Sequence, residues 1–482
     1  LPMMLLWLIL SIMAGGLLAW SVNQWSSFAS RLVALLGVFV PFIVSTAYWT
    51  SLGFPLDTGP DSSWMTTFQV SWITALGIDF YLALDGLSLL MIVLTTFIGS
   101  LTVLYSWGRY PYKEGFYYFN LLWVLAGITG VFLAMDLFLF YFFWEVMLIP
   151  MYFLIGIWGG ENRSNAAFKF FIFTQAGGLL MLLSVLGLHA LHLQQTGEAT
   201  FAYEALMNTE LTKAVAYPLM LGFLAGLLVK LPAFPLHTWL ANTYTEAPAS
   251  GSIILSGLMV KTAGYSLIRF VLPFFPEAVG DFAPIGMVLG VIGILYGAKL
   301  AFAQSDLKRI VSYSSFSHMG YIVLGIFAMN ELALQGVVMQ MIAHGISSTA
   351  LFAMIGFLET RLHTRDVNQI GGLYSRAPVM GGVGLIFVMA SLGLPGLGNF
   401  IAEFLVLMGA YQADILLAVF ASIGLVLSSL YALRLMQNIF YGQVPDSLSN
   451  AQMADFRAKE GLIMGALIVV VIGLGFYPQP VF

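Results

Sequence analysis

Cysteine is absent from the 482 residues, and only 9% of them are charged. The first absence excludes disulfides and iron–sulfur clusters held by thiolates of this chain. The second excludes an ordinary soluble domain, in which about a quarter of residues carry charge. A net charge of -5, scattered along the chain, gives no footing for nucleic acid as a partner. The first apolar run, Leu1 to Trp20, has no basic stretch ahead of it, so it is expected to be a span rather than a cleavable signal. What remains is 60% hydrophobic, with a mean hydropathy of +0.92. Its runs are too long and continuous for the alternating strands of a membrane barrel. The composition therefore predicts an all-α polytopic membrane protein.

Glycine, proline and charge divide the apolar sequence into about 14 spans. They lie near 1–20, 28–50, 86–106, 114–135, 137–159, 167–193, 214–236, 250–274, 282–303, 308–329, 332–359, 377–411, 413–440 and 460–477. The lysines and arginines test that count. Counted with the flanking helix ends, the odd-numbered connections hold 14 of them and the even-numbered only Lys213 and Arg269; Lys230 and Lys261 lie within spans. Basic residues mark the cytoplasmic side, so both termini are expected to be exoplasmic. Between the second and third spans, within Ser51 to Asp85, Phe68, Val70 and Trp72 alternate with Gln69 and Ser71, which predicts an exoplasmic β-hairpin. Asp85 and Asp136 each precede a span and are expected to cap it.

Two spans are interrupted. Pro232 and Pro235 should break the seventh, and Pro395, Gly396 and Gly398 the twelfth. Interrupted spans at matching positions point to inverted repeats, here spans 4–8 repeated as 9–13, and to an ion site at mid-membrane. The resulting division is an N-terminal part, 1–113, two repeats, 114–274 and 275–440, and a C-terminal helix, 441–482.

Six titratable groups lie deep in these spans. Glu145 sits near the middle of the fifth, LFLFYFFWEVMLIPMYFLIGIWG, where Pro150 should bend the helix and free the carbonyl of Val146. A charge at that depth costs about 2.5 to 3.5 kcal/mol, so it implies function and a partner. Lys230 stands at the break of the seventh span. Lys261 and Tyr265 share one face of the eighth at i, i+4. His318 lies in a stripe with Ser314, Ser315 and Tyr321, and His344 in one with Gln340, Ser347 and Ser348. Glu403 follows the twelfth break. By contrast, Lys169, Lys213 and Lys299 lie near span ends, where lysines snorkel to the interface. Haem ligation by His318 and His344 has no second feature in its favour, and a purely structural Glu145–Lys230 pair would be replaceable by apolar residues. The chemistry these groups permit is proton relay. Burial disfavours a charged lysine and a nearby carboxylate favours it, so a changing Glu145–Lys230 distance would switch Lys230 between holding and releasing a proton. Moving one charge against 100 mV costs about 2.3 kcal/mol, within reach of one salt-bridge rearrangement.

The motifs DLFLFYFFWEVMLIPMYFLI, VKLPAFPLHTWL, MVKTAGYSLIRF, SDLKRIVSYSSFSHMGY, MIAHGIS, GLPGLGNFIAEF and GFYPQP resemble the antiporter-like subunits of proton-pumping NADH:quinone oxidoreductase, respiratory complex I. The resemblance runs over nearly the whole chain. It is nearest to the M-type branch, because Glu403 stands where the L- and N-type branches carry lysine. It implies 14 transmembrane helices with two inverted five-helix repeats and a bacterial inner-membrane, multi-pass location. Glu145 and Lys230 would be the coupling pair, Lys261, His318 and His344 the central relay, and Glu403 the terminal group toward the exit. It also implies L-type and N-type neighbours, and no redox chemistry in this chain. NAD, FMN, iron–sulfur clusters and quinone would belong to partner subunits. Where the family usually reads WLPDAH this chain has WLANTY, with Ala241, Asn242 and Tyr244, which removes any gating role for the missing Asp and His. His237 is expected to cap the helix break. Two other readings stay open, a subunit of a multi-subunit Na⁺/H⁺ antiporter and a scaffold that does not pump.

Overall fold

A bilayer offers no hydrogen-bond partners, so an apolar chain crosses it by closing its own backbone bonds as helices. A computed structural model describes residues 1–53, 63–449 and 453–482 of this chain. In chain order it runs through α1 (Pro2–Val22), α2 (Ser27–Leu52), β1 (Thr66–Ile73), β2 (Ile78–Leu84), α3 (Gly86–Ser106), α4 (Glu114–Leu133), α5 (Leu137–Trp158), α6 (Arg163–Thr196), the short α7 (Tyr203–Met207) and α8 (Lys213–Lys230). There follow α9 (Leu240–Glu246), α10 (Ala249–Phe274), α11 (Pro276–Ala303), α12 (Leu307–Phe327), α13 (Glu331–Leu362), α14 (Pro378–Leu392), α15 (Gly398–Ala413), α16 (Ile415–Tyr441) and α17 (Ala458–Phe476). Among the described residues, 13 helices are long and apolar enough to cross a membrane. The remaining expected span is split into α14 and α15. The seventh is likewise broken after Lys230, ahead of α9.

The hairpin forms as its alternation predicts, with β1 antiparallel to β2 from Thr66↔Leu84 to Ile73↔Ile78. Val70 and Trp72 nonetheless stay exposed on its outer face. The part of this connection at 54–62 lies outside the described residues. Both expected caps are present: Asp85 accepts from Ser88 N at 2.9 Å and Asp136 from Phe138 N and Leu139 N at 2.9 and 3.0 Å. α5 runs on through Pro150 to Trp158, so the proline does not end the helix.

The chain forms two compact units. One holds Leu1–Leu231, Leu258–Phe282 and Pro480–Phe482, and the other Pro232–Gly257 and Ala283–Gln479. In the first, α6 packs on both α5 and α8. Gly177 and Gly226 let α6 and α8 approach closely, since a Cβ at Gly226 would meet Gly177 O at 2.9 Å. In the second, α13 packs on α12 and α15.

Each unit repeats one device. Asp136 starts α5 and pairs, as an isolated bridge, with Ala202 beyond the long α6; Asp306 starts α12 and pairs with Asp366 beyond the long α13. Reciprocal bonds close both bridges: Leu137 N to Phe201 O at 2.9 Å and Tyr203 N to Met135 O at 2.8 Å, against Leu307 N to Arg365 O and Val367 N to Ser305 O, both 2.9 Å. Each aspartate also caps the helix it starts. A carboxylate that accepts two helix N–H groups while its backbone pairs with a distant residue ties the start of one helix to the chain just beyond the end of the next.

Burial pushes the Asp136 carboxyl up to about 6, although the N–H groups of Asp79, Leu139 and Phe138 oppose it. Its folded state therefore holds a proton more tightly than the unfolded chain does. The stability this confers is complete below the ordinary carboxyl range and is lost as pH rises through about 6. Thermal unfolding of the assembled complex at pH 5 and pH 7 tests this. Asp136→Asn keeps the capping oxygen and is expected to reduce the loss between the two pH values; an unchanged loss would remove Asp136 as its source.

Candidate functional site

In the first unit, α8 ends at Lys230, which puts an ammonium beside the carbonyl end of a helix, the electrostatically favourable terminus for a cation. The side chain is only 2% exposed. Its Nζ lies 3.9 Å from the centre of the Trp144 ring and has no hydrogen-bond partner. Among the described residues no ion pair joins it to Glu145; the cation rests instead on the aromatic face of the neighbouring residue. Glu145 turns toward α6, where Gly178 leaves room: a Cβ there would stand 3.2 Å from Oε1. Tyr141 and Gln175 approach the carboxylate, yet Oε1 has no hydrogen bond. Glu145 as a whole is partly exposed, although its Oε1 is buried.

Lys261 is wholly buried on α10. Two π-helical turns, Leu255–Met259 and Leu267–Val271, flank its turn of the helix, an irregularity found mostly at functional sites. Four and eight residues on stand Tyr265 and Arg269. The Arg269 guanidinium donates to Asp85 Oδ2 at 2.5 Å and to the Tyr265 hydroxyl at 3.1 Å. That hydroxyl lies 3.2 Å from Ser88 Oγ and donates to Phe132 O at 3.0 Å. This buried network is absent from the sequence reading, which counted Arg269 with the connections and gave Asp85 only a cap. The i, i+4, i+8 spacing of Lys261, Tyr265 and Arg269 was its one available signal.

In the second unit, the two polar stripes meet as expected. His318 Nδ1 lies 3.0 Å from Glu403 Oε1, both side chains buried. The contact is close but not aligned as a hydrogen bond, and neither Glu403 oxygen has another partner. His344 Nε2 stands 3.1 Å from Ser315 Oγ, which stands 3.0 Å from Ser256 Oγ. The two imidazole centres are 5.5 Å apart. Gln340 donates to His318 O at 3.3 Å, and Asn399 to Ser347 Oγ at 3.0 Å. Beyond His318, Ser391 and Ser314 lead to the Tyr431 hydroxyl, 2.7 Å from Ser314 Oγ.

The twelfth-span break makes this pocket possible. Gly393 ends α14 at φ +83°, and a Cβ there would meet Glu403 Oε2 at 2.5 Å. Only glycine satisfies both the backbone and the carboxylate. At the seventh-span break, His237 does not cap. Its ring stacks on Phe316 with centres 4.4 Å apart, and its Nδ1 has no partner. In the WLANTY segment, Asn242 Oδ1 accepts from Arg309 at 3.1 Å and Tyr244 is buried with its hydroxyl unpartnered. No group of three or more His, Asp and Glu able to hold a metal occurs among the described residues.

The sequence and the fold match known proteins. Residues 134–428 match the family model described as NADH:quinone oxidoreductase/Mrp antiporter, TM, and residues 71–110 match that of NADH-Ubiquinone oxidoreductase (complex I), chain 5 N-terminus. NADH-quinone oxidoreductase subunit M of Pseudomonas aeruginosa is 48% identical over 99% of this chain and 95% of its own. Its counterpart in Escherichia coli K12 is 45% identical over the same shares. Among solved structures, a chain of respiratory complex I from Thermus thermophilus superposes with a TM-score of 0.88 at 28% identity, covering 98% of this chain and 96% of that one.

Proposed function

The chain belongs to the NADH-quinone oxidoreductase subunit M family, and from that premise we propose that it carries protons through the membrane along the acids and bases of its two units. It is a membrane-arm subunit of complex I. The observation that carries the relay reading is the His318–Glu403 contact, a buried base 3.0 Å from a buried acid at the point where a membrane helix is interrupted. Taking two such groups out of water costs several kcal/mol, and apolar residues would hold these helices together at least as well. A pair that can share a proton gives the expense a use.

In this reading Glu145 and Lys230 couple the chain to its neighbours, Lys261, His318 and His344 pass the proton, and Glu403 delivers it toward the exoplasmic side. Residues 114–274 and 275–440 form the two repeats, with both chain termini exoplasmic. The neighbours are the L-type and N-type subunits, and NAD, FMN, iron–sulfur clusters and quinone stay in partner subunits.

Glu403→Gln tests the relay, because the amide keeps the shape and cannot ionise. Proton transfer per NADH oxidised in proteoliposomes is expected to fall, with the step through this residue slowed by about tenfold or more. Unchanged pumping overturns the relay. Purification of the chain without flavin and iron–sulfur subunits would favour a Na⁺/H⁺ antiporter assembly instead.

A further inference from the structure

Lys308 counts by position among the loop cations that orient the chain, yet it is only 2% exposed. Its Nζ donates to Ala247 O at 2.6 Å and reaches Thr245 O at 3.5 Å, at the end of α9. Arg365 donates to the same Thr245 carbonyl at 3.1 Å, so that oxygen keeps a partner when Nζ is neutral. Four charged side chains face the ammonium from four segments: Glu246 on α9, Asp306 ahead of α12, Glu359 on α13 and Arg365 beyond it. Glu359 and Asp306 reach water, with side chains 44% and 27% exposed. A lysine that served only to orient the chain would lie in solvent.

Inward from Lys308, Ser312 and Ser315 follow at i+4 and i+7 on the same face of α12. Ser315 lies about 10 Å deeper along the helix axis and already holds His344 Nε2 at 3.1 Å. His344 leads to His318, and His318 to Glu403. Every one of these residues belongs to the second unit.

Resting on the proton-carrying role proposed above, we infer that Lys308 is the proton-loading residue of the second unit on its basic, cytoplasmic side. Nζ takes a proton from water through the Glu359, Asp306 and Glu246 carboxylates and gives it inward toward Ser315 and His344. The same ammonium grips the carbonyls that end α9, so loaded and empty states differ in how tightly α9 is held. Wherever the proton resides, one of the two groups trading it changes charge, and the Arg365 contact keeps Thr245 O satisfied meanwhile.

Arginine separates a carrier from a clamp. It can hold the Thr245 and Ala247 carbonyls but does not give up its proton. In the whole complex in proteoliposomes, Lys308→Arg and Lys308→Met are both expected to lower protons moved per NADH by about tenfold through this subunit, with Lys308→Arg assembling as wild type does. Wild-type pumping by Lys308→Arg overturns the inference. Where neither variant assembles, Glu359→Gln decides. Loss of that negative charge weakens the hold on the proton, so the alkaline limb of the pumping profile is expected to move to lower pH; an unmoved limb overturns the inference. Lys230→Ala, measured alongside, separates the two levels. Normal pumping there removes the wider relay reading, whereas normal pumping in Lys308→Arg alone removes only this one.

Discussion

Replacing Lys230 with alanine lowers NADH-driven proton pumping by about tenfold or more through this subunit while the complex still assembles. The reason assembly survives lies in what surrounds Nζ. It sits over the Trp144 ring at 3.9 Å and makes no hydrogen bond, so its loss breaks none and takes from Glu145 only a nearby countercharge that it does not bond. A charge at membrane depth costs about 2.5 to 3.5 kcal/mol, and alanine does not bear that cost. The substitution should therefore leave thermal stability unchanged or raise it, and any loss of pumping is functional. Glu145→Ala is expected to behave alike. Lys169→Ala, near the start of α6, should change pumping by less than about twofold. Equal losses in all three would undo the assignment. Protons per NADH and the thermal midpoint, measured on the same preparations, give both readings.

The opposite balance holds at Arg269. Arg269→Met leaves the Asp85 carboxylate, which is wholly buried, without the guanidinium 2.5 Å from it. Breaking a buried pair from one side costs about 3 to 5 kcal/mol. The Tyr265 hydroxyl loses its donor as well. Assembly and thermal stability are expected to fall sharply. A second change, Asp85→Asn, should restore much of the loss, because the amide oxygen still accepts from Ser88 N to cap α3 and no charge is stranded. A single variant as stable as wild type, or a double variant no better than the single, would show that the pair does not hold this end of α10.

The contrast between these residues explains how much the sequence revealed. Periodicity and breakers act locally, so the spans, the hairpin, both caps and both interrupted helices were legible from Gly, Pro and apolar spacing. Stripes on a single helix were legible too, which is why His318 with Ser314 and Ser315, and His344 with Gln340 and Ser347, turn out to be sites of real contact. What single-chain spacing cannot carry is the partner on another helix. Arg269 reads as a connection cation until Asp85, 184 residues away, closes on it. Lys308 reads as a surface charge until the end of α9 folds over it. Glu145 reads only as deep, because hydropathy reports depth in the membrane and says nothing about which side of a helix faces outward. His237 misled for a related reason. A polar residue at a break suggests a cap, but the ring found an aromatic partner in Phe316 instead.

The two π turns around Lys261 give its helix a mechanical property that a uniform helix lacks. Each such turn holds one surplus residue, and shifting that surplus along the backbone trades one hydrogen-bond register for another without opening the chain. Moving the surplus of the first turn past Lys261 turns that residue about the helix axis by about 100°, the angle of one residue in an α-helix. A lysine two residues beyond one such turn is thus mounted like a crank pin, with the rest of the span as its fixed bearings.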